Sequence, residues 1–147
     1  TLFRSTDAAA IEGLDHAIER AQAFAEIGAD MTFVEAPRSF EELAKITRSI
    51  TTPQVANIVF GGKTPDPGRQ RFTEMGFSLV LYANAALQAS VRAHYEVLGA
   101  LKRDGSLDAV ADRLATFDER QRVVSKHVWD ALEDRYTGKE AKVGAAE

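Results

Sequence analysis

Cysteine is absent from the 147 residues, so neither a disulfide framework, nor a thiolate metal site, nor a thiol nucleophile can be built from this chain. Basic residues are not in excess. Lys and Arg number 18 against 22 Asp and Glu, giving a formal net charge of -4, and the cations are scattered among acids rather than gathered into a stripe. That distribution argues against a nucleic-acid partner. Long apolar runs are missing too: nothing approaches the roughly 18 residues needed to span a bilayer, and no charged-then-apolar leader precedes Asp7. The expectation is a cytoplasmic chain with no membrane partner.

What is present, 45% hydrophobic and 27% charged residues, is the make-up of a soluble globular domain. Strand-like and helix-like segments alternate, the pattern of parallel β/α units. The first unit opens with Thr1-Leu2-Phe3, passes a loop at Ser5-Thr6-Asp7 and enters a helix after Asp15, an N-capping residue type, with Ile18, Ala21, Ala25 and Ile27 as its apolar stripe. Gly28 closes that helix. The second unit is the strand Met31 to Glu35, a turn at Pro37, and a helix opened by Ser39 with Glu42 three residues on, a capping box.

The third strand, Gln54 to Phe60, leads into the Gly- and Pro-rich loop Gly61 to Gly68, which reads as the most mobile element. Phe77 to Tyr82 is the fourth strand, followed by a long helix from about Ala85 to Lys102 that Gly105 ends. Two more amphipathic helices are expected near Leu107 to Leu114 and Asp118 to Tyr136, with a tail after Gly138 polar enough to fray. Residues 1–105 thus hold four β/α units, and 106–147 a C-terminal helical extension. A (β/α)8 barrel takes about 250 residues, so four units make about half of one. An open parallel sheet has two unpaired edges, so a first half-barrel, a partner chain or a second copy should close it.

Four groups of motifs sit in one order along nearly the whole chain. They are Ser5-Thr6-Asp7-Ala8 with Gly13-Leu14-Asp15 and Ala17-Ile18-Glu19-Arg20-Ala21; Gly28-Ala29-Asp30 with Phe33-Val34-Glu35-Ala36-Pro37; Ala56-Asn57-Ile58-Val59 with Gly61-Gly62-Lys63-Thr64-Pro65; and Met75-Gly76-Phe77. Together they resemble the C-terminal half of the isocitrate lyase and phosphoenolpyruvate mutase superfamily. Ala115-Thr116-Phe117 is similar to the tail of its 2-alkylmalate lyase branch.

The resemblance implies the C-terminal half of an α/β barrel of the (β/α)8 TIM type. It also implies chemistry through an enolate of pyruvate or a related 2-oxo acid, stabilised by Mg²⁺ and fixed hydrogen-bond donors. By resemblance Glu35 and Asn57 are the catalytic candidates, the matching residues contacting carboxylate, hydroxyl or enolate oxygens of the substrate. A bland role stands beside each: Glu35 as a loop anchor capping the next helix, Asn57 as a tie between strands. Arg4, Ser5, Thr6 and Asp7 are the substrate-binding candidates, against the plain reading of an Asp-led turn. The Mg²⁺ ligands and the catalytic cysteine loop belong to the family's first half, so no metal ligand is expected in this chain.

Several positions depart from the family pattern. Ser5 stands where the family carries an Arg that grips a substrate carboxylate as a bidentate fork. Arg4 is one residue earlier, and because side chains alternate along a strand it reaches the site only through a twist or bulge. Phe60 replaces a Glu, and Ala83 replaces a Pro. Gln88 and Phe117 stand where methylisocitrate lyases have arginines, which points to a smaller, less charged acid, 2-alkylmalate- or oxaloacetate-like. The implied activity is a carbon–carbon lyase or decarboxylase. Phosphorus–carbon bond chemistry from the same superfamily is the alternative within the enzyme class, and a non-catalytic half-barrel serving as an assembly partner the alternative outside it.

Other signals are weak. Gly62-Lys63-Thr64 is not a P-loop, because that motif needs Gly at 57, where the chain has Asn57. His16, His94 and His127 each lie on a predicted helix without a partner at ligand spacing and read as surface or packing residues. Val128, Trp129 and Leu132 form an apolar face that suits the chain's own barrel or, as family members exchange C-terminal helices, a homo-oligomer such as a dimer or tetramer.

Overall fold

A computed structural model describes residues 2–138; Thr1 of the expected first strand and the tail at 139–147 lie outside the described residues. The chain forms two compact units, one ending at Ser90 and one beginning at Val91. The division falls within a helix, whereas the sequence suggested a boundary after residue 105.

The first unit contains β1 (Phe3–Thr6), α1 (Ala8–Ile11), α2 (Leu14–Glu26), β2 (Met31–Val34), α3 (Phe40–Ser49), β3 (Gln54–Val59), α4 (Arg69–Met75), β4 (Leu79–Ala83) and the start of α5 (Ala85–Asp104). The four strands form one sheet in the order β1-β2-β3-β4, and every pairing is parallel. This is the α/β half-barrel expected from the alternation of strand and helix.

β1 lies later in the chain than its apolar residues suggested. Its place is set by its partner: Phe3 pairs with Met31, Arg4 with Thr32, Ser5 with Phe33 and Thr6 with Val34. Ser5 and Thr6 are therefore strand residues rather than loop. The expected cap of α2 also moves. Gly13, at φ 98, turns the chain into the helix, and Asp15 lies inside the first turn, where its charge suits the helix dipole and its carboxylate accepts from Lys45 Nζ on α3. At the other end Gly28, at φ 99, lets its own N–H reach the Ala25 carbonyl at 3.0 Å and that of Ala29 reach Phe24 at 2.9 Å. That pair of bonds is the Schellman closure.

The core lies between the helices and one face of the sheet. Ala17, Ile18 and Ala21 of α2 pack with Val34, Ile46 and Ile50; the small alanines bring helix and strand close. Ile27, expected on the same stripe, is exposed. A second cluster joins Leu43, Ala56, Ile58 and Phe72, with Phe77 edge-on to Phe72 at 5.4 Å between ring centres. The capping box at α3 forms by half: the Ser39 hydroxyl accepts from the Glu42 N–H, but the Glu42 carboxylate takes the N–H of Arg38, one residue further out.

The second unit holds the remainder of α5, a 3-10 turn at Asp108–Arg113, α6 (Phe117–Val123) and α7 (Lys126–Thr137). The single long helix expected over 118–136 is broken. Val123, Val124 and Ser125 are poor helix formers, Ser125 adopts φ 52, and the Trp129 indole N–H bonds to the Val124 carbonyl at 3.2 Å. Among the described residues no helix is long and apolar enough to cross a membrane.

Candidate active site

Alternation along the strands sorts the polar residues onto two faces. Thr6, Thr32, Val34, Ala56 and Ile58 are buried on the helix side. The register puts Ser5 opposite Phe33, Phe33 opposite Val55, and Asn57 opposite Leu81, all on the other side. Glu35 stands two residues beyond Phe33, as Asn57 stands two beyond Val55, so both belong to one row at the C-terminal ends of the strands. In an α/β barrel that end carries the chemistry.

A cleft of about 320 Å³ opens there, lined by Glu35, Ala36, Asn57, Val59, Gly62, Lys63 and Thr64. Its volume is at the lower end of ligand clefts, roughly 300 Å³ upward. Glu35 and Asn57, the two catalytic candidates, are thus brought together. The Asn57 Oδ1 atom is buried without a hydrogen-bond partner, a costly state that a ligand donor would relieve.

The backbone on either side of the cleft is tightly held. Glu35 donates its N–H to the Thr6 carbonyl at 3.0 Å, and Ala36 then adopts φ 58, a left-handed conformation unusual for alanine, directly before Pro37. Such strain persists only where the surroundings fix it, and it gathers at functional sites. On the opposite wall Gly61 has φ 77, as the third residue of a type II turn requires. Gly62 closes that turn with a 2.8 Å bond to the Val59 carbonyl; a Cβ there would stand 2.9 Å from the same oxygen. Both glycines are needed to fold Lys63 and Thr64 back over the strand end.

The four substrate-binding candidates do not line this cleft. Arg4 shares the helix-side parity of Thr6, and its Nη1 donates to the neighbouring Phe3 carbonyl at 3.0 Å. Ser5 is exposed on the cleft side of β1. Thr6 is buried, its Oγ1 accepting from the Ala8 N–H at 3.2 Å, which ties β1 to α1. Asp7 occupies the N-cap position of α1 without a side-chain capping bond. Lys63 and Thr64 were missed as site residues, although their place just beyond the third strand was a usable signal.

Larger hollows exist elsewhere. One of about 710 Å³, lined by Asp112, Arg113 and Glu119 among others, lies in the second unit. Two of its charged groups already serve structure: Arg113 pairs with Glu96, and Glu119 takes part in the capping box at Thr116. Among the described residues no three His, Asp or Glu gather as a metal site. The described residues therefore do not by themselves fit Mg²⁺, and no step is assigned to it.

A sequence profile described as phosphoenolpyruvate phosphomutase matches residues 3–102. This chain belongs to the PEP mutase and isocitrate lyase superfamily. It is 37% identical over 135 residues to the petal death protein of Dianthus caryophyllus, covering 92% of this chain and 42% of that one. It is 41% identical over 125 residues to the carboxyvinyl-carboxyphosphonate phosphorylmutase of Arabidopsis thaliana, covering 85% and 37%. The solved structure of a 2,3-dimethylmalate lyase in a trigonal crystal form superposes with a TM-score of 0.82 at 27% identity, over 99% of this chain and 48% of that one. The relatives include proteins named as a 2,3-dimethylmalate lyase and 2-methylisocitrate lyases, and the chain spans about two fifths of the length of the curated relatives it matches.

Proposed function

We propose that this superfamily member carries half of the active site of a carbon–carbon lyase or decarboxylase for a small 2-hydroxy or 2-oxo dicarboxylic acid, 2-alkylmalate- or oxaloacetate-like. The observation that carries the reading is the unpartnered Asn57 Oδ1 beside Glu35 in one cleft at the strand ends. A bare acceptor next to a carboxylate favours a ligand with a hydroxyl proton to give. In oxaloacetate, which has no hydroxyl to deprotonate, the C3–C4 bond breaks with loss of CO2 to leave the pyruvate enolate. In a 2-alkylmalate Glu35 takes the proton of the 2-hydroxyl, the oxygen closes onto C2 as a carbonyl, and the C2–C3 bond breaks. Its electron pair passes into the enolate of the departing acid, whose carbon then takes up a proton. Before the hydroxyl proton leaves, Asn57 Oδ1 accepts from the same hydroxyl and so holds the reacting oxygen in line for Glu35.

Completion of the site needs four more strands. The unpaired edges at β1 and β4 support a partner that continues the sheet, either the rest of the protein or a second chain. Mg²⁺ belongs to the proposal only as an ion held by that other half. A cytoplasmic setting and oligomers formed through the exposed Val128, Trp129 and Leu132 face of α7 complete the reading.

The test is pyruvate release from a 2-alkylmalate and from oxaloacetate by the assembled barrel. Glu35→Gln is expected to cut kcat by about 10²–10⁴-fold, the usual worth of a general base; unchanged turnover in both Glu35→Gln and Asn57→Ala would sink the reading. Similarity to a phosphonate-acting mutase favours a second reading, chemistry at a phosphorus–carbon bond, which turnover of phosphonopyruvate without turnover of any malate derivative would establish.

A further inference from the structure

We infer that Lys63 is the carboxylate anchor of this cleft, a point-charge substitute for a guanidinium clamp on β1; the inference rests on the lyase reading of the same site. An organic acid needs a cation, and Glu35 by itself would repel it. Arg4 is on the other face of β1 and is engaged with the Phe3 carbonyl. Ser5 carries no charge. In the lining of the cleft Glu35 is the acidic member and Lys63 the basic one, so the site is bipolar: an acceptor wall at Glu35 and Asn57, a cationic wall on the loop after β3.

Lys63 is held at that wall by its neighbours. The turn before it is fixed by Gly61 and Gly62, and Pro65 restricts Thr64 after it. Further along, Asp66 spends a carboxylate oxygen on the Gly68 N–H at 2.9 Å, so the nearest acid on the loop is committed locally. Among the described residues Lys63 has no ion-pair partner. The same Lys63-Thr64 pair that fails as a nucleotide-binding loop thus offers an ammonium and a hydroxyl to a carboxylate. Lys binds through three rotatable donors on a flexible stem rather than a rigid planar fork. The site should therefore accept acids of varied shape while still requiring the negative charge.

The experiment uses the assembled barrel, with oxalate as a binding probe and a 2-alkylmalate as substrate. Lys63→Met should weaken oxalate by about 10- to 100-fold, the worth of one charge-assisted hydrogen bond, and raise KM for the diacid by more than kcat falls. It should also flatten the salt dependence of binding, with the melting temperature unmoved because Lys63 is exposed. Lys63→Arg should restore most of the affinity. Unchanged oxalate affinity in Lys63→Met, or equal losses in Lys63→Met and Lys63→Arg, overturns the anchor. If Glu35→Gln lowers turnover in the same preparation, only the anchor has failed; if Glu35→Gln and Asn57→Ala are both silent, the lyase reading fails with it.

Discussion

The two faces of the sheet are treated differently by the chain. Under the helices Leu43, Ile46 and Phe72 are sealed from solvent, whereas on the other face Phe3, Leu79 and Leu81 keep 44%, 43% and 45% of their surface exposed. Both faces are apolar, yet the helices of the first unit pack on only one of them. A parallel sheet is normally buried on both sides and reads as near-continuous apolar strands. The uncovered apolar face is therefore shaped for cover rather than for water, and in the proposed reading the polar row of Glu35 and Asn57 is where that cover would leave room for a ligand.

The contrast can be broken directly. Leu43→Ala should cost about 2–5 kcal/mol, as expected when a buried leucine leaves a cavity. Leu81→Ala, on the uncovered face, should change the stability of this chain alone by no more than about 0.5 kcal/mol, and by far more once the barrel is complete. Urea denaturation of each variant, alone and assembled, separates these outcomes; equal losses in the isolated chain would mean the two faces do not differ.

A smaller effect is expected at the rim. Ala36→Gly relieves a left-handed alanine but frees the unfolded chain, and should raise stability by up to about 1 kcal/mol, read as a higher melting temperature; a fall would show that the strain is not there. Smaller still is the capping box of α6, far from the sheet in sequence. The Glu119 carboxyl is held below the usual range by its hydrogen bonds to the Thr116 N–H and hydroxyl. A depressed carboxylate lends its stability above its unfolded pKa, near 4, and gives it up as pH falls through the lowered folded value. Thr116→Ala should cost about 0.5 kcal/mol, the low end for a cap, and shrink that acid-side loss of helicity without removing it when circular dichroism is followed against pH, because the backbone N–H at position 116 still donates to Glu119.

Much of this architecture was legible because it is local. Gly28 and Gly105 stop their helices where the sequence placed them, and the strand–helix alternation needs no knowledge of the third dimension. What was not legible depends on partners. The span of β1 follows from its pairing with β2, and the break at Ser125 goes with the indole of Trp129 bonding to the Val124 carbonyl. α4 has seven residues and one buried side chain, Phe72, too little for a periodic signal.

At the site, Glu35 and Asn57 stand out through their resemblance to family motifs, Glu35 ending the second expected strand and Asn57 lying within the third. Arg4 could be doubted because side chains alternate. Lys63 entered the cleft only through a turn that doubles back, and the left-handed Ala36 leaves no mark in an Ala-Pro pair.

The order β1-β2-β3-β4 copies the order of the chain, so each strand bonds only to its neighbours in sequence and every closing segment is short. Loop-closure cost grows slowly with length, and a sheet assembled from such steps can grow like a zipper, each β/α unit docking on the one already in place. The half-barrel is thereby a ratchet for its own completion: its last strand offers the next one a ready-made ladder, and whichever polypeptide supplies that strand inherits the register already set.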